Sequence, residues 1–248
     1  MKTADAIIQA RLSSSRLKGK VLMNLGDKKL LDHVVLRLRA SAKIDRIIIA
    51  TTTDPEDQEL ADYCAQNGIL CYRGDRNNVL ARYIGAANAF GCETIVRVCS
   101  DNPFIDSKSL DELLREFFND SKLDYATHAT FDGVPIILKP IGVFAEVVTL
   151  RALKRVVAIA PDPKYFEHVT MFIYQNPNLF RIKTIPLPAD LNVELRFTVD
   201  YPEDVKHCER VMSLTNNYGL ESLLRVMREN PSLQQDILAF SERHLKRY

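Results

Sequence analysis

Ile7-Ile8-Gln9-Ala10-Arg11-Leu12-Ser13-Ser14-Ser15-Arg16-Leu17-Lys18-Gly19-Lys20 is the stretch on which the reading of this chain turns. An apolar segment (Ala6, Ile7, Ile8) runs straight into a loop holding Arg11, Arg16, Lys18 and Lys20, with three consecutive serines and Gly19 among them. Arg and Lys donate charge-assisted hydrogen bonds to phosphate oxygens. Small residues let backbone N–H groups approach an anion. Such a loop suits a polyphosphate, although the same composition also makes a solvated surface loop. Its place after a first strand favours the ligand, because open α/β sheets bind ligands outside the carboxyl ends of their strands.

Working outward, residues 4–10 read as strand one. Residues 29–41 put Leu30, Leu31, Val34, Val35 and Leu38 on one helical face, with His33 beside that stripe as a helix-surface histidine. The apolar run D-R-I-I-I-A-T at 45–51 is typical of a buried parallel strand. Asp54 and Pro55 then start a helix that ends at Asn67-Gly68. A third strand at 69–72, a helix through residues 79–83, a fourth strand at 93–98 and a helix at 107–118 continue the alternation. These βαβ units imply a mostly parallel central sheet, and right-handed crossovers make it a three-layer α/β sandwich.

After residue 124 the pattern changes. Residues 125–130, 141–148, 180–185 and 195–199 read as strands, and Pro161-Asp162-Pro163 opens a helix over F-E-H-V-T-M-F-I-Y. Together they predict a β-rich lobe laid over the carboxyl edge of the sheet, followed by helices at 202–215, 220–227 and 233–244. The expectation is one domain over residues 1–248, falling into parts 1–120 and 121–215 and a helical tail (216–248). The apolar run Ile136-Ile137-Leu138 suits burial within the lobe or a contact between chains.

The composition, 46% hydrophobic and 26% charged, is ordinary for a globular chain of 248 residues, so a sizeable core is expected. A formal net charge of +1 leaves no bulk electrostatic case for nucleic acid or a membrane surface. No apolar run reaches the roughly 18 residues of a spanning helix, and the first residues carry no signal-peptide pattern. Five cysteines without a C-x-x-C pair read as reduced thiols in a cytoplasmic protein. The nine glycines never give G-x-G-x-x-G or a kinase-type phosphate loop, which argues against a dehydrogenase and a P-loop enzyme.

Two aspartates carry the candidate chemistry. Asp101 follows the apolar strand I-V-R-V and Asp200 follows R-F-T-V, so both emerge at strand ends. A hard cation such as Mg²⁺ takes one or two carboxylates plus waters and substrate phosphates. Each aspartate also precedes a helix, where it serves equally well as an N-cap or turn former.

These segments carry a resemblance. Q-A-R-x-x-S-S-R-x-x-G-K-V-L at 9–22, R-V-C-S-D-N-P-F-I-D at 97–106, F-E-H-V-T at 166–170 and R-F-T-V-D-Y-P-E-D at 196–204 resemble, in this order, the signatures of the sugar nucleotidyltransferases. Within that group they are most similar to the cytidylyltransferases of the SpsF-like spore-coat polysaccharide branch, relatives of the CMP-Kdo and acylneuraminate synthetases. The resemblance implies a nucleotide-diphospho-sugar transferase-like fold and transfer of CMP from CTP to a small anionic acceptor, an acidic sugar for instance, with release of pyrophosphate. It makes Asp101 and Asp200 ligands of Mg²⁺, and Arg11, Arg16 and Lys20 the partners of the triphosphate. The nucleotide side becomes Gln9, Ala10, Arg11, Ser15, Arg16 and Lys20, together with Arg73, Asn78, Arg82 and Asp101. The acceptor side becomes Glu146, His168 and Arg196, with His168 either bonding the acceptor or capping its own helix. Asp106 and Asp204 are structural. The resemblance further implies a nucleotide-binding half (1–120) and an acceptor and dimerisation half (121–215), with a homodimer formed through the latter, to which Ile136, Ile137 and Leu138 would contribute.

The chain departs from the family pattern at three places. Asn78 stands where an Asp is usual, Phe166 where an Arg is usual, and Phe144 replaces an acid on the acceptor side. A glycosyltransferase of related fold is the rival reading, but many of those hold metal with D-x-D, and no two aspartates here are two positions apart. A non-catalytic nucleotide-binding subunit is the other rival, and the presence of both Asp101 and Asp200 speaks against it.

Overall fold

The structure is a computed structural model that describes residues 2–187, 191 and 194–244. Strand β1 (Ala4–Gln9) lies near the middle of its sheet and is buried from Ala4 to Ile8. A strand apolar on both faces needs a layer over each. Ala6 and Ile8 point into one cluster and Ile7 into the other, the period of two that a strand imposes. The hairpin β2 (Asn24–Leu25) and β3 (Lys28–Lys29) leads into helix α1 (Leu30–Arg39). Then follow β4 (Ile44–Thr52), α2 (Gln58–Gln66), β5 (Leu70–Gly74), α3 (Val79–Phe90), β6 (Thr94–Cys99) and α4 (Ser107–Asn119). The second half adds β7 (Tyr125–Ala129), β8 (Glu146–Thr149), α5 (Leu150–Ile159), α6 (Lys164–Glu167), α7 (Met171–Gln175) and β9 (Ile182–Pro186). Helices α8 (Pro202–Leu214), α9 (Leu220–Glu229) and α10 (Pro231–His244) are the last described elements.

Among the described residues the main sheet has seven strands in the order β5-β4-β1-β6-β8-β7-β9. All its pairs are parallel except those of β8, which runs antiparallel to β6 and β7. Leucines and valines of α1, α2 and α4 cover one face, and α3, α5 and α7 cover the other. The three-layer sandwich read from the sequence is therefore the fold. A third cluster joins Leu25, Phe104, Val143, Phe144, Phe197 and Val199 to α8, α9 and α10 at the carboxyl edge. No described helix is long and apolar enough to cross a membrane.

The strands after residue 124 join the central sheet and do not form a layer of their own. Residues 141–145 and 195–199 are not strands. Leu195, Phe197 and Val199 are buried in alternation, as a strand would be. Yet Phe197 N–H donates to the carbonyls of Pro140 (3.2 Å) and Ile141 (3.2 Å), and Val199 N–H donates to that of Asp101 (2.8 Å). Their neighbours are loops, so no ladder forms. Gly142 permits this crossing: its φ is +73°, and a Cβ there would lie 2.7 Å from the Phe197 carbonyl carbon. Helix α5 has no counterpart in the sequence reading; Thr149 starts it by accepting from the Ala152 N–H at 3.0 Å. The helix expected after Pro163 breaks at His168–Thr170, where Val169 (0% exposed) and Thr170 (1%) are drawn beneath the sheet. His33 is buried, and its Nε2 lies 2.8 Å from the Leu25 carbonyl oxygen, so it is not the surface histidine that the sequence suggests.

Candidate active site

The Gln9↔Cys99 register brings the ends of β1 and β6 together. The loop 10–20 and the Ser100-Asp101 turn therefore leave the sheet side by side. The loop is folded back on itself. Gly19 N–H donates to the Leu12 carbonyl (2.9 Å), and Leu12 N–H donates to Asp57 Oδ1 (2.7 Å). Gly19, at φ 70°, sends the chain into a single turn of 3-10 helix, Lys20–Leu22.

That turn buries Lys20 (7% exposed). Its ammonium donates to Asp101 Oδ2 at 2.8 Å, Asp200 Oδ1 at 3.0 Å and the Val199 carbonyl at 2.9 Å. Three acceptors meet the three donors of an ammonium group. Burial opposes the charge on Lys20, and Asp101 and Asp200 more than offset it, so its pKa is raised. Arg16 Nη2 reaches the same Asp200 oxygen at 3.0 Å, and its guanidinium lies over the Tyr201 ring.

The capping roles open to Asp101 and Asp200 are filled by other residues. Asp106 accepts from the Ser109 N–H (2.8 Å) at the start of α4 and from the Leu220 N–H (3.1 Å). Asp204 accepts the N–H groups of Asp200 (2.8 Å) and Tyr201 (2.9 Å) before α8 and takes both ends of Arg196 at 2.7 and 3.1 Å. The carboxylates of Asp101 and Asp200 are thus left to face Lys20.

Two cavities meet at this point. One, of about 410 Å³, is lined by Gln9, Ala10, Arg11, Ser15, Arg16 and Lys20, and opposite them by Arg82, Arg97, Asp101 and His168. The other, of about 570 Å³, is lined by Asn102, Ile136 to Gly142, Phe144, Arg196, Thr198, Asp200, Tyr201 and Phe240. Arg16, Cys99 and Asp101 belong to both.

Several expected residues stand elsewhere. Arg73 holds the turn after β4, donating to the carbonyls of Thr52 and Asp54, both at 2.9 Å, and lines neither cavity. Asn78 accepts from the Ala81 N–H (2.8 Å) as the N-cap of α3 and lines neither. Arg82 is buried against the first cavity, where desolvation lowers its pKa. His168 lines the first cavity, not the second. Arg196 lines the second, but Asp204 occupies its guanidinium and the Phe240 ring covers it at 4.0 Å. Glu146, expected on the acceptor side, is 1% exposed and lines neither of these two cavities.

The sequence reading passed over Arg97, Asn102, Tyr201 and Phe240. Arg97 was visible as a charge inside an apolar strand; the others become site residues only through packing. Ile136 is buried in the third cluster, and Ile137 and Leu138 line the second cavity. Phe144 stacks on His128 with ring centroids 4.5 Å apart. Burial lowers the His128 pKa from 6.5 to about 4. The unfolded chain binds this proton below pH 6.5 and the folded chain does not, so stability falls as pH drops from 6.5 towards 4. The loss attributable to His128 approaches about 3 kcal/mol. Urea unfolding at pH 7 and 4.5 is expected to show a smaller acid loss in His128→Leu than in the parent; equal losses would refute it.

A family model described as cytidylyltransferase matches residues 6–242. The spore coat polysaccharide biosynthesis protein SpsF of Bacillus subtilis is 32% identical over 234 residues, covering 91% of this chain and 94% of that protein. A cytidylyltransferase structure from Leptospira borgpetersenii superposes with a TM-score of 0.84 at 27% identity, over 95% of this chain and 98% of that one. A CMP:2-keto-3-deoxy-manno-octonic acid synthetase solved with CTP gives 0.65 at 16% identity, over 86% and 99%, a likeness of fold. Sequence and fold agree that the chain belongs to the cytidylyltransferase family.

Proposed function

We propose that this enzyme transfers CMP from CTP to a small anionic acceptor, with Mg²⁺, in surface-polysaccharide or modified-sugar synthesis. The observation that carries the reading is the pair Asp101 and Asp200, which share one cation where two cavities meet. The nucleotide takes the cavity of Arg11, Ser15, Arg16 and Lys20, and the acceptor takes the cavity of Asn102 and Phe144. The relatives support this: one is named for polysaccharide biosynthesis, and another was solved with CTP.

The residues fit a divalent metal. Two carboxylates converge on a single positive charge, with the Lys20 ammonium standing where a hard cation finds oxygen ligands. Among the described residues no group of three or more His, Cys, Asp or Glu gathers, so waters and substrate phosphates would have to complete the ion's coordination. When bound, Mg²⁺ neutralises charge on the α-phosphate and on the departing pyrophosphate. Asp101 and Asp200 would hold it. An acceptor oxygen forms a bond to the α-phosphorus as the bond from that phosphorus to the β-phosphate oxygen breaks, and the electron pair leaves with pyrophosphate. Arg16 and Lys20 stabilise that leaving charge, and the meeting cavities set the two reactants in line. A carboxylate or phosphate oxygen arrives without a proton and needs no base. The walls from Ile136, Ile141, Phe144 and Phe240 favour an acceptor with an apolar side.

Thermal unfolding with Mg²⁺ and each of CTP, UTP, ATP and GTP tests the nucleotide. A ligand at a hundred times its Kd adds about 2.7 kcal/mol, worth roughly 5–10 °C for a chain of this size. The expected result is the largest rise with CTP; no rise with CTP would overturn the reading.

A further inference from the structure

A buried line of hydrogen bonds runs beneath the nucleotide cavity and ends in it. At its base Glu146 accepts from the hydroxyls of Tyr125 and Thr170, the latter at 3.0 Å. Arg97, 7% exposed, pairs with Glu146 through Nη1 at 2.5 Å. Its Nη2 donates to Gln9 Oε1 at 3.2 Å and lies 4.0 Å from Cys99 Sγ. The parallel register explains the reach: Arg97 stands opposite Ile7 and Cys99 opposite Gln9, so the guanidinium rises along β6 to the tip of β1.

The chemistry of these groups sets a direction. A guanidinium has donors only, so the carboxamide atom facing it must be the Gln9 oxygen. The Gln9 amide nitrogen is thereby turned away from Arg97, and it makes no hydrogen bond within the described residues. Gln9 lines the nucleotide cavity. Arg97 cannot rotate freely, because Glu146 holds it and is itself held by Tyr125 and Thr170.

We infer that Gln9 is a specificity-determining residue that donates its amide N–H₂ to an oxygen of the nucleoside half of the nucleotide, and that Arg97 and Glu146 are the positioning residues that hold it in that orientation. The inference rests on the nucleotidyltransferase reading of the cavity. It moves Glu146 from the acceptor to the nucleotide, acting at a distance through two side chains. A neutral donor matches a neutral oxygen, a pyrimidine carbonyl or a ribose hydroxyl, whereas the cationic loop matches phosphates.

Calorimetric titration of CTP with Mg²⁺, without any acceptor, tests it. Gln9→Met keeps the length of the side chain and removes the donor. It is expected to melt with the parent and to bind CTP on the order of tenfold more weakly. Gln9→Glu keeps an oxygen towards Arg97 and replaces the donor by a carboxylate oxygen, so its loss is larger. Titrating 2′-deoxy-CTP identifies the oxygen. A Gln9→Met penalty that vanishes with this analogue assigns the ribose hydroxyl, and an undiminished penalty assigns the remaining oxygens of the nucleoside.

Glu146→Gln is expected to weaken CTP binding in the parent and to add nothing in the Gln9→Met background, the signature of a residue acting through another. A purely structural glutamate would weaken both backgrounds equally, which would overturn the positioning role. Parent-like CTP binding by Gln9→Met would overturn the inference as a whole. Absence of CTP binding by the parent itself would instead sink the nucleotide reading on which the inference stands.

Discussion

Asp101→Ala and Asp200→Ala are each expected to lower nucleotidyl transfer by about 100- to 1,000-fold, the range found when a preorganised electrostatic group is removed from a reacting centre. Pyrophosphate release from CTP, with a panel of sugar acids as acceptors, measures the loss. The argument rests on which aspartates are free to act. Asp106 and Asp204 are spent on backbone N–H groups, and Asp204 also on Arg196. Asp101 and Asp200 instead present side-chain oxygens to a cation at the junction of the two cavities. Lys20 remains held in either variant by the other aspartate and the Val199 carbonyl, so the fold should survive. The contrast is Asp106→Asn, which weakens a helix cap and costs about 1 kcal/mol of stability with little effect on turnover. Unchanged pyrophosphate release in both alanine variants would remove the basis of the proposed mechanism.

Lys20→Met is expected to destabilise the protein without nucleotide and to make it unusually responsive to Mg²⁺. Lys20 is the cation through which two partly buried carboxylates, 22% and 15% exposed, are brought together. Breaking a buried pair by removing one partner costs about 3–5 kcal/mol. The residual solvent at both carboxylates, and the help of Arg16 at Asp200, favour the lower end. About 3 kcal/mol corresponds to a fall of roughly 6–12 °C in Tm for a chain of this length. Millimolar Mg²⁺ should then recover more stability in the variant than it adds to the parent, because the vacated position leaves oxygen ligands suited to a hard cation. Differential scanning calorimetry with and without Mg²⁺ reads both effects. A variant whose melting ignores Mg²⁺ would argue against a metal between these aspartates, whatever its activity.

The reach of the C-terminal helices bears on both results. Phe240 of α10 packs on Arg196 and Tyr201 and lines the second cavity. The tail is therefore part of the wall of the second cavity beside Asp200.

Residues 4–119 were legible in the sequence almost element by element. Their strands are continuous apolar runs, their helices carry a stripe and a start or stop signal, and each follows from interactions within a few residues along the chain. The cationic loop was legible for the same reason, since its composition and its place after β1 are local facts. So was the special position of Asp101 and Asp200, each at the end of an apolar run. What the tertiary structure alone decided is how distant segments share out their partners. It placed 125–186 in the central sheet, because β8 found β6 and β7 as neighbours on either side. It left 195–199 extended without a ladder, because loops flank it. It gave the capping work to Asp106 and Asp204 and left Asp101 and Asp200 facing Lys20. It also buried Glu146 beneath the cavity of the cationic loop, as the counter-ion of Arg97. Hydrophobic period and turn chemistry act over single turns, whereas the allotment of buried charges is settled only when residues far apart in the chain compete for the same few partners.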